Sequence, residues 1–455
     1  MNGFLISLLS FLVAIGILVA VHEFGHFWVA RKLGVKVLRF SIGFGKPLWR
    51  WQKHPDDTEY VVGAIPLGGY VKMLDEREGE VAEEELPQAF NRQPVGSRIA
   101  IVAAGPAANF IFAVLAYWLV FVLGVEGLKP VVDEVSPDSP AAVAGLRHGD
   151  EIVAVDDETT PTMNSVVQAL LYKAIKGESV SLRVRDRQGI ERHLTLALPA
   201  VGEEKGSLDL LEEVGITPLR PVVEPVIDEV LKGSAAERAG LRPGDRVVAI
   251  DGEPIVRWRQ LVEYVQAHPG VAVILTVERA PGKRLELKVV PEAVSTEQGE
   301  IGRIGAGVKP PPALPESYRA VLQYSPLKAV AEAVRKTWEM SAMTVRMLGK
   351  MLVGQASLEN VSGPITIAQY AGYTAAVGLV QFIGFLAIVS ISLGVINLFP
   401  VPLLDGGHLL YYFIELVKGS PLSDQAQMLG QRIGIALLVS LMALAFYNDI
   451  VRLLK

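Results

Sequence analysis

"VAVHEFGHFWVA" (residues 19–30) closes an apolar run that begins at residue 3 and holds no acidic or basic residue before its own histidine. About 20 apolar residues suffice to cross a bilayer as a helix. Two histidines and a glutamate therefore stand near one end of a lipid-soluble segment. Ionisable groups in that setting are costly unless paired or metal-bound, and they mark function. The spacing His22-Glu23-x-x-His26 is specific in a chain with only seven histidines. On a helix, positions i and i+4 share a face, so both imidazoles can reach one cation. Glu23 lies about 100° around the helix from His22, where it can flank a metal without ligating it and take a proton from water. Zinc held there would lower the pKa of a bound water toward about 7. The plain alternative is a polar patch that hydrogen-bonds neighbouring helices.

The rest of the composition agrees with a membrane setting. Half of the 455 residues are hydrophobic and 20% are charged, and the mean hydropathy is +0.35, which points to lipid rather than cytosol. A net charge of −6 argues against a nucleic-acid partner. There is no cysteine, so any metal must be held by His, Asp or Glu.

Three further stretches are apolar enough to span: 99–123, 377–399 and 433–448. The first run lacks a basic leader and a small-residue cleavage site, and reads as a retained span rather than a signal peptide. Arg31, Lys32, Lys36, Arg39, Lys46 and Arg50 follow it with no acidic residue among them. By the positive-inside rule that loop is cytoplasmic, the N-terminus is outside, and the large region 125–375 is exported. His22 and the end of the third span then lie at comparable depth, toward the cytoplasmic side, where they can meet.

A third metal ligand is sought there. Nothing charged appears between Glu359 and Asp405, and Asp405 stands in "NLFPVPLLDGGH" (397–408). Pro400 and Pro402 break the helix before it, and Gly406 and Gly407 permit close backbone approach. His408 is a rival ligand or a supporting partner. Read alone, the stretch is equally the exit loop of a span.

The exported region repeats itself. "VVDEVSPDSPAAVAGLRHGDEIVAVDDE" (131–158) aligns without gaps on "VIDEVLKGSAAERAGLRPGDRVVAIDGE" (226–253), with more than half the positions identical. Such self-similarity signals a duplicated unit. Each copy reads strand, short helix, Gly-Asp turn, strand, with Gly145 and Gly240 at helix C-caps and Gly149-Asp150 and Gly244-Asp245 in turns. The copies resemble circularly permuted bacterial PDZ domains, whose groove takes a peptide C-terminus as an added strand. The carboxylate-binding loops are expected around 129–135 and 224–230, although the Gly-Leu-Gly-Phe loop of eukaryotic PDZ domains is absent. Ligand-free structural modules are the other reading. After them comes a proline-rich linker, "VKPPPALPES" (308–317), and a helix over 317–353 that either lies in the membrane interface or packs on the exported domain.

Taken together, H-E-F-G-H in the first span, N-x-x-P-x-P-x-x-D-G-G-H at the third and the PDZ copies between resemble the bacterial site-2 protease family, most of all its members with tandem PDZ domains. "PLGGYVKMLDE" (66–76) and "AAGPAANFIFA" (103–113) extend the likeness over the whole chain. The resemblance implies an intramembrane zinc metalloendopeptidase of the bacterial inner membrane. It makes His22, His26 and Asp405 the zinc ligands and Glu23 the general base. It gives Asn397 a place beside the scissile bond, where its amide could serve a developing oxyanion or simply pack between helices. A substrate helix must unwind before it is cut, and its freed backbone needs partners. Two strands expected around Pro66, Gly68 and Gly69, and a membrane-reentrant hairpin over 41–51 carrying Gly43 and Gly45, could supply them. The implied substrates are single-span proteins already trimmed outside, such as an anti-sigma factor in envelope stress signalling, and remnant signal peptides.

The expected fold is thus a polytopic α-helical membrane protein with four transmembrane helices, two exported β-rich PDZ domains and a small cytoplasmic membrane-associated β region. Its divisions are a first span at 1–30, a cytoplasmic loop at 31–97, a second span at 98–124, PDZ domains at 125–221 and 222–308, linker and amphipathic helices at 309–376, a third span at 377–410, a loop at 411–430 and a fourth span at 431–452. A non-catalytic PDZ-bearing membrane scaffold or chaperone is the competing function. A metal transporter would need further ionisable residues along the spans, and they are missing.

Overall fold

The computed structural model describes residues 2–174, 178–199, 207–219, 223–280, 282–296, 299–308, 316–354 and 362–454. They form two compact units, one of Met1–Val125 with Gln323–Lys455 and one of Glu126–Leu322.

The first unit opens with α1 (Asn2–Lys32). Arg31 and Lys32 stand in its last turn, where the helix dipole favours cations. Gly34, at φ 82°, ends it, and the Val35 N–H closes back on the Ala30 carbonyl at 2.9 Å. Two long strands follow, β1 (Val37–Trp51) and β2 (Glu59–Met73). Both bend, and the bends double the sheet. Arg39, Phe40, Ser41 and Ile42 each pair twice, with Glu59, Tyr60, Val61 and Val62 on one side and with Lys72, Val71, Tyr70 and Gly69 on the other. The expected pair of short strands in 58–73 is therefore one extended segment with two arms. The positive φ of Gly43, Gly45 and Gly68 turns the chain without ending the strands. Phe44, Leu48, Trp49, Trp51, Val62 and Ile65 form an exposed apolar rim on this sheet. Next comes α2 (Val95–Leu123).

In the second unit, β3 (Val125–Leu128) pairs with β18 (Arg319–Leu322), so the chain leaves and returns on adjacent strands. Between them the repeat is visible as structure. The first copy runs β4 (Val132–Val135), α3 (Pro140–Val143), β5 (Glu151–Val155), β6 (Glu158–Thr159), α4 (Met163–Ala174), β7 (Val180–Arg185), β8 (Glu191–Leu196), α5 (Ser207–Val214) and β9 (Ile216–Pro218). The second runs β10 (Ile227–Val230), α6 (Ala235–Arg238), β11 (Arg246–Ile250), β12 (Glu253–Pro254), α7 (Trp258–Ala267), β13 (Val273–Ala280), β14 (Lys283–Val289), β15 (Glu292–Thr296), β16 (Gly299–Arg303) and β17 (Ala306–Val308). Each has a four-stranded sheet, in the orders β6-β5-β7-β8 and β12-β11-β13-β14, and a two-stranded one, β4-β9 and β10-β17. Ser139 and Ser234 cap the short helices alike. The Gly-Asp turns are closed by buried ion pairs, Asp150 with Arg192 and Asp245 with Arg279. The copies part company after α4 and α7. In the first, α5 lies against α4 with Leu210, Leu211 and Val214 in the core. In the second, the strand β16 takes that side, and a cleft of about 320 Å³ remains beside Leu231, Trp258, Leu261, Val265 and Ile304.

The chain re-enters the first unit as α8 (Pro326–Leu352), α9 (Pro364–Val377), α10 (Leu379–Leu398), α11 (Asp405–Lys418) and α12 (Asp424–Leu454). Ala113, Ala116 and Tyr117 of α2 meet Ala333 of α8 and Ala387, Ile391 and Val395 of α10 in one core. Among the described residues four helices are long and apolar enough to cross a membrane: Gly3–Lys32, Val95–Leu123, Leu379–Leu398 and Gln425–Leu453.

Three expected boundaries change. The third span does not run to 410, because α10 stops at Leu398 ahead of Pro400 and Pro402, which cannot continue its ladder. Residues 411–430 are not a plain loop, since α11 reaches Lys418 and α12 begins at Asp424. The helix expected over 317–353 starts only at Pro326. It packs on α2 through Ala333, inside the first unit. Positions 309–315 of the linker lie outside the described residues.

Candidate metal centre

Three side chains from opposite ends of the chain converge. His22 Nε2 and His26 Nε2 are 3.3 Å apart, and Asp405 Oδ2 lies 3.1 Å from the first and 3.5 Å from the second. No other such donor group occurs among the described residues. The two imidazoles sit one turn apart on α1 with their rings edge to face. Asp405 is the first residue of α11 and arrives on the turn 399–404. That turn is held tightly. Leu403 adopts φ 94°, a left-handed conformation costly for a leucine. A Cβ on Gly406 would strike the Phe399 carbonyl at 2.1 Å, and one on Gly407 the Val401 carbonyl at 2.5 Å. The two glycines let the turn fold onto its own helix.

The second helix grips the imidazoles from behind. A Cβ on Gly105 of α2 would stand 2.2 Å from His26 Nε2 and 2.9 Å from His22 Cε1, while one on Gly25 of α1 would strike the Ala104 carbonyl at 2.2 Å. His26 Nδ1 donates to the Ile101 carbonyl at 2.8 Å. A neutral imidazole carries one proton, so His26 Nε2 has its lone pair free. Asn109, wholly buried, brings its amide within 3.1 Å of His22 Nδ1. Gly105, Ile101 and Asn109 were not singled out from sequence, although an Asn four residues after a Gly within an uncharged span is a readable signal.

The donor set fits a tetrahedral metal. Bonds of about 2.0–2.1 Å give tetrahedral edges of about 3.3–3.4 Å, close to the three separations observed. Asp405 Oδ2 also accepts no hydrogen bond although it is buried. A buried carboxylate oxygen is expensive without a positive partner, and the His26 nitrogen beside it presents a lone pair.

Glu23 is buried on α1. Gly69 of β2 presses on it, since a Cβ there would stand 3.0 Å from Glu23 Cγ. Gly68 packs against Phe44, Gly43 against the Gly63 and Ile65 carbonyls, and Gly45 near the Ile65 side chain, so these three shape the sheet rather than touch the donors. Asn397 is half-buried in the last turn of α10 and makes no side-chain hydrogen bond among the described residues. Pro400 is exposed and Pro402 half-buried. His408 is exposed and stands edge-on to Tyr411, outside the donor group.

Comparison with known proteins settles the class. The profile of Peptidase family M50 matches residues 10–441. The chain belongs to peptidase family M50. Among M50 relatives it is 49% identical over 454 residues to "Regulator of sigma-E protease RseP" of Escherichia coli K12, covering all of both chains. It is 48% identical over 455 residues to "Protease RseP" of Yersinia pestis, again end to end. A Vibrio cholerae protein whose name assigns it as a zinc metalloprotease is 46% identical over 457 residues and equally complete. The solved PDZ domain of an SdrC-like protein from Listeria monocytogenes covers 20% of this chain and 92% of its own, at 19% identity and a TM-score of 0.16. The expected enzyme class is thus borne out: this M50 chain is a metalloprotease, and zinc is the metal that its family and its donor set both support.

Proposed function

We propose that the chain is an intramembrane protease that cuts within the transmembrane segment of single-span proteins, with His22, His26 and Asp405 holding the zinc ion and Glu23 as general base. The donor triangle carries this reading: three side chains on two distant segments, with separations of 3.1–3.5 Å. Zinc bound there supplies a Lewis acid and makes water a nucleophile near neutral pH. Glu23 takes the proton of the attacking water and hands it to the departing amine. Asn397, whose amide makes no side-chain hydrogen bond among the described residues, would donate to the oxyanion.

A substrate helix hides its carbonyls in its own ladder, so it must open before it is cut. The β2 arm that holds Gly69 against Glu23 offers main-chain groups beside the general base, and an unwound segment can add there as a strand. The exposed aromatic rim of the sheet, with Trp49 and Trp51 at its end, suits the lipid interface.

The topology follows the basic loop after α1. The N-terminus is outside, residues 31–97 are cytoplasmic, the two repeat modules are periplasmic PDZ domains of 125–221 and 222–308, and the catalytic cluster faces the cytoplasmic side of the inner membrane. The relatives named for sigma-E point to an anti-sigma factor, trimmed on its outer side, as substrate, with remnant signal peptides as a second class. The cleft beside Trp258 and Ile304 supports capture of a peptide C-terminus by the second copy.

The decisive test is Glu23→Gln with a reporter single-span substrate. Cleavage should fall by about 10²–10⁴-fold with zinc still bound. Cleavage at the wild-type rate would remove Glu23 from the mechanism.

A further inference from the structure

One buried group beside the donors has a task that the reaction does not assign. Asn109 is fully buried on α2. Its backbone carbonyl accepts from Ser390 Oγ of α10 at 2.8 Å, which fixes its height between the helices. Its side-chain Nδ2 stands 3.1 Å from His22 Nδ1, and its Oδ1 has no hydrogen-bond partner.

Read with Nδ2 as donor, this contact makes His22 Nδ1 an acceptor. The single proton of a neutral ring then sits on Nε2, the atom that points at His26 and Asp405 and that a metal needs bare. Turning the amide by 180° exchanges its two ends without changing its shape. Oδ1 then accepts from His22 Nδ1–H and the Nε2 lone pair is released, while Nδ2 takes the unpartnered place that Oδ1 now holds. His26 already shows the same arrangement, with the Ile101 carbonyl in the accepting role. The histidines are then held by two acceptors eight residues apart on one helix, Ile101 and Asn109.

We infer that Asn109 is a positioning residue for the metal, its amide oxygen holding the His22 Nδ1 proton so that Nε2 is free to ligate. The inference rests on the zinc reading above. Partners of this kind fix a histidine's tautomer and ring angle, and their loss commonly weakens metal binding by about 10–100-fold.

The test uses the full-length protein in detergent, with zinc affinity read by chelator competition and the ligand field read from the visible spectrum of the cobalt-substituted form. Asn109→Leu removes the acceptor at similar size. It should lower zinc affinity by about 10–100-fold and alter the cobalt spectrum, with helix content unchanged by circular dichroism. Asn109→Asp keeps an acceptor and removes the donor, and should hold affinity within a few-fold of wild type. An Asn109→Leu protein with wild-type affinity and spectrum would overturn the inference. So would an Asn109→Asp protein as weak as Asn109→Leu, since that result assigns the amide a donor's role. Failure of the wild-type protein to bind zinc would instead overturn the underlying metal reading.

Discussion

Asp405 and Asp449 are both carboxylates set into the apolar unit, and the protein treats them in opposite ways. Asp449, near the end of α12 and 1% exposed, accepts from the N–H groups of Gly363, Ile365 and Thr366 at 3.0, 2.8 and 3.2 Å and from Thr366 Oγ1 at 2.5 Å. These are the free donors at the start of α9, so the acid caps a helix that its own sequence leaves uncapped. Asp405 begins a helix as well, yet its Oδ2 has no hydrogen-bond donor from the backbone and faces the two imidazole nitrogens at 3.1 and 3.5 Å. One acid is satisfied by the fold, and the other is left for a cation. The difference separates a satisfied carboxylate from an unsatisfied one without reference to any relative.

Substitutions can break this comparison, and the largest effect falls on Asp405. Asp405→Ala should abolish stoichiometric zinc and lower cleavage by about 10⁴-fold or more, while thermal unfolding changes little because no protein donor is orphaned. Asp449→Ala should do the reverse: zinc content stays at wild type, and stability falls by about 2 kcal/mol as the start of α9 loses its cap. If the two variants gave the same phenotype, the distinction would be wrong. Gly105→Ala sharpens the first arm. Its methyl group would occupy space 2.2 Å from His26 Nε2, so zinc affinity should fall by about 10-fold or more, read by chelator competition.

A third acid extends the comparison into the second unit. Burial raises the pKa of Asp245, but two bonds from Arg279 at 2.8 Å and the Arg242 N–H at 2.9 Å outweigh it, and the carboxyl is held below its ordinary value. A depressed carboxylate stabilises the fold above the unfolded pKa of about 3.9 and loses that contribution as pH falls through the folded value. The second repeat copy should therefore weaken progressively below about pH 4, and Asp245→Asn should flatten that dependence. Circular dichroism against pH reads both, and an unchanged acid profile in the variant would assign the loss elsewhere.

What could be read from the sequence was local or rested on charge. The i, i+4 histidines, the lone acid after a long uncharged run and the 95-residue repeat needed no knowledge of packing. The donors were therefore legible, and their meeting followed from the spans' shared depth. Gly105 and Asn109 were harder, because their importance depends on how closely α2 crosses α1, which Gly25 and Gly105 determine jointly. The two arms of β2 were read as separate strands because glycines there resemble breaks, whereas Gly68 only bends the extended chain. The helix α11 was hidden because its 14 residues are too few to span and abut prolines that end its predecessor. For α8, a charged outer face masked Ala329, Ala333 and Thr337, the small buried positions that seat it.

The distance along the chain between His22 and Asp405 has a consequence for biosynthesis. Nearly the whole polypeptide is translated between the first two donors and the third. A nascent chain halted anywhere before the turn at 399–404 lacks the third donor. With these three donors as the zinc site proposed above, cleavage becomes possible only when the ribosome has almost finished, a timing built into chain order itself.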